Sequence, residues 1–197
     1  MPLFYTPSGC LTEYTKKVVI EAMKDPIVQI GDSLLRQVAK PVSKKEFSSK
    51  KVVQLVLKMK RVLAKEKYGV AIAAPQLGES LRLFVIAGRA FEPDNEENTH
   101  EDKVFINPEL MRVSKKTRPM SEGCLSVRGT YGSVVRHEKV SIKAQDEHGK
   151  TFTYQASDLI AHIFQHEIDH LDGILYVDKA VKLTEDDKVA KFEDDHD

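Results

Sequence analysis

Gln165-His166-Glu167-Ile168-Asp169-His170-Leu171-Asp172-Gly173 is the stretch on which the reading of this chain turns. It carries the pattern H-E-x-x-H. On an α-helix His166 and His170 lie one turn apart and leave the same face, so two imidazoles converge on one divalent ion. Glu167 is rotated by about 100° from His166. That direction suits contact with a water held at the ion better than ligation. A metal brings the pKa of its water to roughly 7, and a neighbouring carboxylate takes the proton. The pattern therefore predicts a hydrolytic metal site, given a helix and a third ligand.

The flanking residues predict the helix. Ser157 and Asp158 are good N-cap types. Leu159, Ile160, Ile163, Phe164, Ile168 and Leu171 then make a broad apolar face at helical spacing, and Gly173 supplies a stop. A helix this apolar is expected to be buried, where its polar groups need partners, and a metal supplies one for both rings. The bland alternative is two ordinary histidines on a partly exposed helix. His162, one turn back on the same stripe, is read as a supporting residue behind the ligands or a surface residue.

The third ligand is less direct. The continuation H-E-x-x-H-x-x-G-x-x-H is followed through Gly173 and then fails, because Tyr176 stands at the last position. Glu185 and Glu193 lie in a strongly polar tail. Of the two cysteines, Cys10 has no motif around it. Cys124 sits in Ser121-Glu122-Gly123-Cys124-Leu125-Ser126-Val127, where Gly123 permits a close backbone approach and the following apolar residues suggest entry into a strand. A Cys/His/His site with one open position is catalytic in type rather than structural.

Glu122-Gly123-Cys124-Leu125-Ser126 together with Gln165-His166-Glu167-Ile168-Asp169-His170 resembles peptide deformylase. Gly69-Val70-Ala71-Ile72-Ala73-Ala74-Pro75-Gln76-Leu77-Gly78 looks like that family's glycine-rich first motif, and the three come in the family's order. The resemblance runs from about Asp25 to about Lys182. It implies that Cys124, His166 and His170 hold one divalent metal, ferrous iron by family expectation, with zinc, nickel or cobalt able to replace it. It implies that Glu167 is general base toward the metal-bound water and then general acid toward the leaving amine. Gln76 and the backbone N–H of Leu125 are implied to stabilise the oxyanion. The implied substrate is the N-formylmethionine of a new polypeptide, and the products are formate and a free N-terminus. Glu122 and Arg136 are expected to pair and hold the cysteine loop, with plain surface solvation as the alternative. Gly69, Val70, Ala71 and Gly123 are expected to border the substrate. Ile163 and Leu159, one and two turns before His166, are candidates for the methionine slot or for the general core.

Two positions depart from the family pattern. Ala71 stands where glycine is usual, so its methyl group is expected to narrow the cleft or to bar a glycine-only conformation. Arg128 stands where proline is usual, which adds a positive charge near the cleft mouth and removes a φ constraint. These departures motivate one other reading, a non-catalytic relative that binds formylated N-termini; a zinc endopeptidase is a further one, against which Tyr176 and the cysteine motif count.

Composition bounds the rest. The chain has 197 residues, with 30 Lys and Arg against 30 Asp and Glu, so no general pull toward nucleic acid is implied. No apolar run approaches the roughly 20 residues of a membrane helix. Two cysteines argue against a disulfide scaffold and fit a reducing compartment, with the cytoplasm as the default and an organelle not excluded. A ribosome contact is left open. Met1 to Lys24 reads as an N-terminal extension without a secretory core. Residues 25–183 read as the deformylase-like catalytic domain, and 184–197 as a charged tail that frays or extends as an exposed helix end. Val52 to Lys67 reads as an amphipathic helix. Leu81 to Ile86, Val104 to Ile106, Val134-Val135, Val140 to Ala144 and Thr151 to Tyr154 read as strands, the last two joined at Glu147-His148-Gly149-Lys150. Glu92 to Lys103 reads as a surface loop. The fold class expected is α+β, with antiparallel or mixed strands packed around a central motif helix carrying H-E-x-x-H.

Overall fold

The computed structural model describes residues 25–91 and 100–185. The expected N-terminal extension, Cys10, most of the acidic loop and residues 186–197 of the tail lie outside them. Two α-helices are described, α1 at Lys50–Lys65 and α2 at Asp158–Leu171. Eight strands accompany them: β1 Ala71–Ala73, β2 Leu83–Ile86, β3 Lys103–Val113, β4 Thr117–Cys124, β5 Val127–His137, β6 Lys139–Gln145, β7 Thr151–Ser157 and β8 Lys182–Glu185. They form a five-stranded sheet in the order β1-β2-β3-β6-β7 and a three-stranded sheet in the order β4-β5-β8. Every strand pair is antiparallel. The chain is α+β, as expected.

Strand β2, Leu-Phe-Val-Ile, is buried on both faces, which is why it reads as a continuous apolar run rather than an alternation. Leu83 and Val85 face α1, where they meet Val52, Leu55, Val56, Met59 and Leu63. Phe84 and Ile86 face the opposite way, onto Phe164, Ile168 and Leu171 of α2. The larger sheet is therefore covered by one helix on each side. Helix α1 starts at Ser49, whose hydroxyl accepts from the Val52 N–H. In β3 the ladder breaks between Ile106 and Glu109. There Asn107 adopts φ +49°, which asparagine tolerates, and its amide bonds the Val42 carbonyl and Gln145.

Helix α2 starts after Ser157, where the sequence places a cap, but without the capping bond. Asp158 instead turns the chain with φ +54° while its carboxylate takes Arg118. The stop is as expected. Gly173 has φ +74°, and a Cβ there would lie 2.6 Å from the Arg36 carbonyl oxygen. Phe164 anchors the helix, its ring 5.0 Å from Phe105 and 5.6 Å from Tyr154, each edge-on.

The strand expected after Cys124 is β5, which opens at Val127 once Leu125-Ser126 have turned the chain; Cys124 itself closes β4. Two elements differ from expectation. Thr184 and Glu185, assigned to the tail, pair with Tyr131 and Thr130 in β8. Strand β4 was not foreseen at all. It is an edge strand carrying Pro119, without an alternating apolar pattern.

Candidate metal centre

Helix α2 carries a polar stripe on an otherwise apolar body. His162, His166 and Asp169 recur at helical spacing, and His170 follows one turn after His166. The β4–β5 hairpin lies over this stripe and supplies Glu122, Cys124 and Arg136. The short 3-10 turn Ala74–Leu77, after β1, supplies Gln76.

Cys124, His166 and His170 come together. One donor atom from each lies within 4.8 Å of the others, and Cys124 Sγ is 3.1 Å from His170 Nε2. A tetrahedral site with bonds of about 2.0–2.3 Å wants donors about 3.5 Å apart, so small side-chain adjustments close it. Two buried atoms have no hydrogen-bond partner among the described residues, Glu167 Oε2 and His170 Nδ1. An unpaired buried carboxylate oxygen is costly, and beside a thiol and two imidazoles it is the acceptor that a water in the site would satisfy. The donor set fits a divalent ion of the zinc, iron, nickel or cobalt type.

Charge in the site follows from its neighbours. Burial alone would raise the Cys124 thiol, but His170 and His166 beside it outweigh burial and lower it to about 5. Burial raises Glu167 to about 7, against the opposing pull of the two imidazoles. His166 is held well above the usual histidine value; burial opposes this, and bonds to Cys124 and Glu122 overcome it. A proton on His166 thus balances a negative pocket, which is the work of a cation. The thiolate is the ligand form of cysteine, so the pocket is prepared for one.

Behind the ligands sits an ionic chain. Arg136 donates to Glu122 with two nitrogens, Nε at 2.7 Å and Nη2 at 3.1 Å, and from Nη1 to Asp169 at 2.6 Å. Lys179 takes the other Asp169 oxygen at 2.6 Å. Glu122 also accepts from His166 Nδ1 at 2.6 Å. Its ionised carboxylate has no proton to give, so His166 carries hydrogen on Nδ1 and turns Nε2 toward the ligand site. Burial would raise Glu122, but His162, His166 and Arg136 together hold it far below the usual range.

A cavity of about 540 Å³ opens in front of the ligands. Gly69, Val70, Ala71, Gln76, Glu122, Gly123, Cys124, Leu125, Leu159, Ile163, His166 and Glu167 all line it; Arg136 and His170, both buried, do not. Gln76 is buried. Its Oε1 accepts from the Ala73 N–H at 2.8 Å, and its Nε2 reaches Ser126 Oγ at 3.1 Å and Cys124 Sγ at 3.4 Å.

Several expectations are corrected here. Ala71 lies in β1, paired with Ile86, with no positive φ, so no glycine-only conformation is denied to it. Arg128 stands at the cavity rim, but its charge is spent on Asp25 at 2.8 Å and Glu66 at 3.2 Å. Of the two readings left open for His162, the structure gives the supporting one: it is 7% exposed and donates from Nε2 to Glu122 at 2.7 Å. Asp169 was not singled out from the sequence, although it continues the His162–His166 stripe by one turn. Tyr176, at the position of the missing third histidine, donates its hydroxyl to the Thr130 carbonyl and lays its ring beside His166.

Comparison with known proteins agrees with this geometry. The family model for polypeptide deformylase matches residues 24–186. A peptide deformylase of Carboxydothermus hydrogenoformans is 40% identical over 157 residues, covering 78% of this chain and 91% of that protein. One from Dictyoglomus turgidum is 43% identical over 156 residues, covering 79% and 92%. Among solved structures, the Met-Ala-Ser-bound class I type b peptide deformylase of Acinetobacter baumannii superposes with a TM-score of 0.70 at 35% identity, covering 78% of this chain and 96% of that one. The Thermotoga maritima peptide deformylase gives 0.69 at 31%, covering 79% and 97%. With a match across most of its length, this chain belongs to the polypeptide deformylase family, metal-dependent hydrolases that act on N-formylmethionyl peptides.

Proposed function

We propose that this chain removes the formyl group from N-formylmethionine at the start of newly made polypeptides and releases formate. The observation that carries the reading is the meeting of Cys124, His166 and His170 beside the unpaired Oε2 of Glu167, at a partly apolar cavity. Cys124, His166 and His170 would hold one divalent ion, ferrous by family expectation, with zinc, nickel or cobalt as substitutes. Such an ion, when bound, supplies a Lewis acid and makes water acidic near neutral pH.

The chain's own residues do the rest. Glu167 takes a proton from the attacking water and returns it to the leaving amine; burial places its pKa at about 7, near the working range of an acid–base group. Gln76 offers an amide N–H whose direction is fixed, because its carbonyl oxygen is held by the Ala73 backbone. Together with the Leu125 N–H it donates to the oxyanion that forms at the formyl carbon. Strand β1 is the edge of one sheet and β4 an edge of the other, and residues of both line the cavity. A peptide lying extended there satisfies backbone groups on both sides. Val70, Leu159 and Ile163 give the first side chain an apolar wall, and Glu122 with Arg136 steadies the cysteine hairpin. On this reading residues 25–185 form the catalytic unit, since β8 pairs with β5, and Met1 to Lys24 with residues 186–197 are flanking segments. The cytoplasm is the compartment proposed. No helix among the described residues is long and apolar enough to cross a membrane.

The other readings lose their motives. Ala71 is unstrained and Arg128 is neutralised, so neither argues for a binder without turnover. Tyr176 is engaged elsewhere, which leaves an endopeptidase-type third histidine without a substitute. The test is formate release from a formyl-Met-Ala peptide, with protein purified without oxygen and loaded with ferrous iron or nickel. Release is expected in wild type and lost by several orders of magnitude in Glu167→Ala with metal content unchanged. Full metal occupancy without release would overturn the proposal.

A further inference from the structure

We propose that His162 is a positioning residue for the ligand His166, acting through Glu122 from the wall of the substrate cavity. The inference rests on the metal reading above. Glu122 accepts four hydrogen bonds. Its Oε1 takes Arg136 Nε at 2.7 Å and His162 Nε2 at 2.7 Å; its Oε2 takes Arg136 Nη2 at 3.1 Å and His166 Nδ1 at 2.6 Å. An ionised carboxylate has about four acceptor positions, so this one is filled.

The arrangement is symmetric in origin. Two imidazoles one turn apart on α2 grip the carboxylate from the helix side, and one guanidinium on β5 grips it from the sheet side. Arg136 is not a sufficient anchor by itself, because the same guanidinium is drawn toward Asp169 at 2.6 Å. His162 opposes that pull at Oε1. Without it, Oε1 keeps a single donor in a site almost closed to water, and the carboxylate is free to follow Arg136. His166 is oriented by the other oxygen of the same carboxylate, so its ring turns with it. His162 also lines the cavity with Leu159 and Ile163. It therefore joins the substrate wall to the ligand.

The experiment is chelator competition for zinc or nickel at neutral pH, run on wild type, His162→Leu and His162→Gln. Leucine fills the space without donating; glutamine keeps an N–H within reach of Glu122. His162→Leu is expected to bind metal about tenfold more weakly, the lower end of what loss of an outer-shell partner does to a site. His162→Gln is expected to recover most of that loss. Thermal unfolding of the metal-free proteins separates this from simple packing, which would lower the melting temperature and leave metal affinity alone. Wild-type affinity in a folded His162→Leu, or no recovery with glutamine, overturns the proposal. If the leucine variant does not fold, His162→Met replaces it with a more adaptable apolar chain. Formate release from the same samples keeps the two readings apart: wild type that binds metal and releases nothing sinks the deformylase activity and leaves the His162 result standing. His166→Ala sets the scale; wild-type metal affinity in that variant would sink the metal site itself and the His162 proposal with it.

Discussion

Gln76 and Cys124, 48 residues apart in the chain, meet with the amide nitrogen 3.4 Å from the sulfur. The amide cannot flip without cost, since its oxygen is fixed by the Ala73 N–H. Gln76→Leu removes the donor and leaves the Ala73 N–H buried without an acceptor. We expect turnover of a formyl-Met peptide to fall by about 10²–10³, the usual cost of one oxyanion donor, with metal content nearly unchanged. Steady-state kinetics with metal analysis of the same samples checks it. A fall in KM affinity alone, with kcat intact, would place Gln76 in substrate binding instead.

Among the described residues Arg136 is the cation that Glu122 and Asp169 share. Arg136→Met fills similar space but strands Glu122 as a buried anion. Breaking one side of such a pair costs about 3–5 kcal/mol. Urea unfolding of the metal-free protein is expected to show a loss of this order, with the m-value unchanged. A change under 1 kcal/mol would mean that His162 and His166 alone stabilise the carboxylate.

How much of this was legible beforehand depends on what each residue's neighbours are. Helix α2 and its ligand pair could be read because Leu159, Ile163, Phe164, Ile168 and Leu171 repeat at 3.6 residues, and a helix fixes its own geometry. Helix α1 was legible for the same reason. Strand β4 was not, because Thr-Arg-Pro-Met-Ser-Glu-Gly-Cys owes its conformation to β5 across the hairpin and carries no period of its own. Strand β8 is exposed throughout and reads as tail. The ionic chain needed the fold as well: Asp169 is an ordinary polar residue until the hairpin places Arg136 over it.

Ala71 gives a correction that can be measured. Its strand conformation suits any residue, and its backbone pairs with Ile86. Glycine there removes one methyl group and adds freedom to the unfolded chain, a destabilisation of roughly 0.5–1 kcal/mol. We expect Ala71→Gly to change kcat/KM for a formyl-Met peptide by less than about threefold, since a methyl group in contact with substrate is worth little more than that. A tenfold gain would show that the methyl group obstructs the cleft after all.

Glu167 sets catalytic use against stability. Its pKa is raised by burial from an ordinary 4.5 to about 7 in the metal-free fold. A raised folded value means that the unfolded chain gives up this proton first. The contribution to stability is fully present below about 4.5 and is lost as pH rises through about 7. Above that, folding carries a buried anion whose cost is on the order of 3 kcal/mol. Gln at this position is neutral at every pH and nearly the same shape. Metal-free Glu167→Gln is therefore expected to be more stable than wild type at pH above about 7 and to converge with it in acid. Denaturant titrations of both proteins across that range check the sign. Equal stability at alkaline pH would mean that the carboxylate is solvated in the free enzyme, and the base would then have to be desolvated by substrate rather than by the fold.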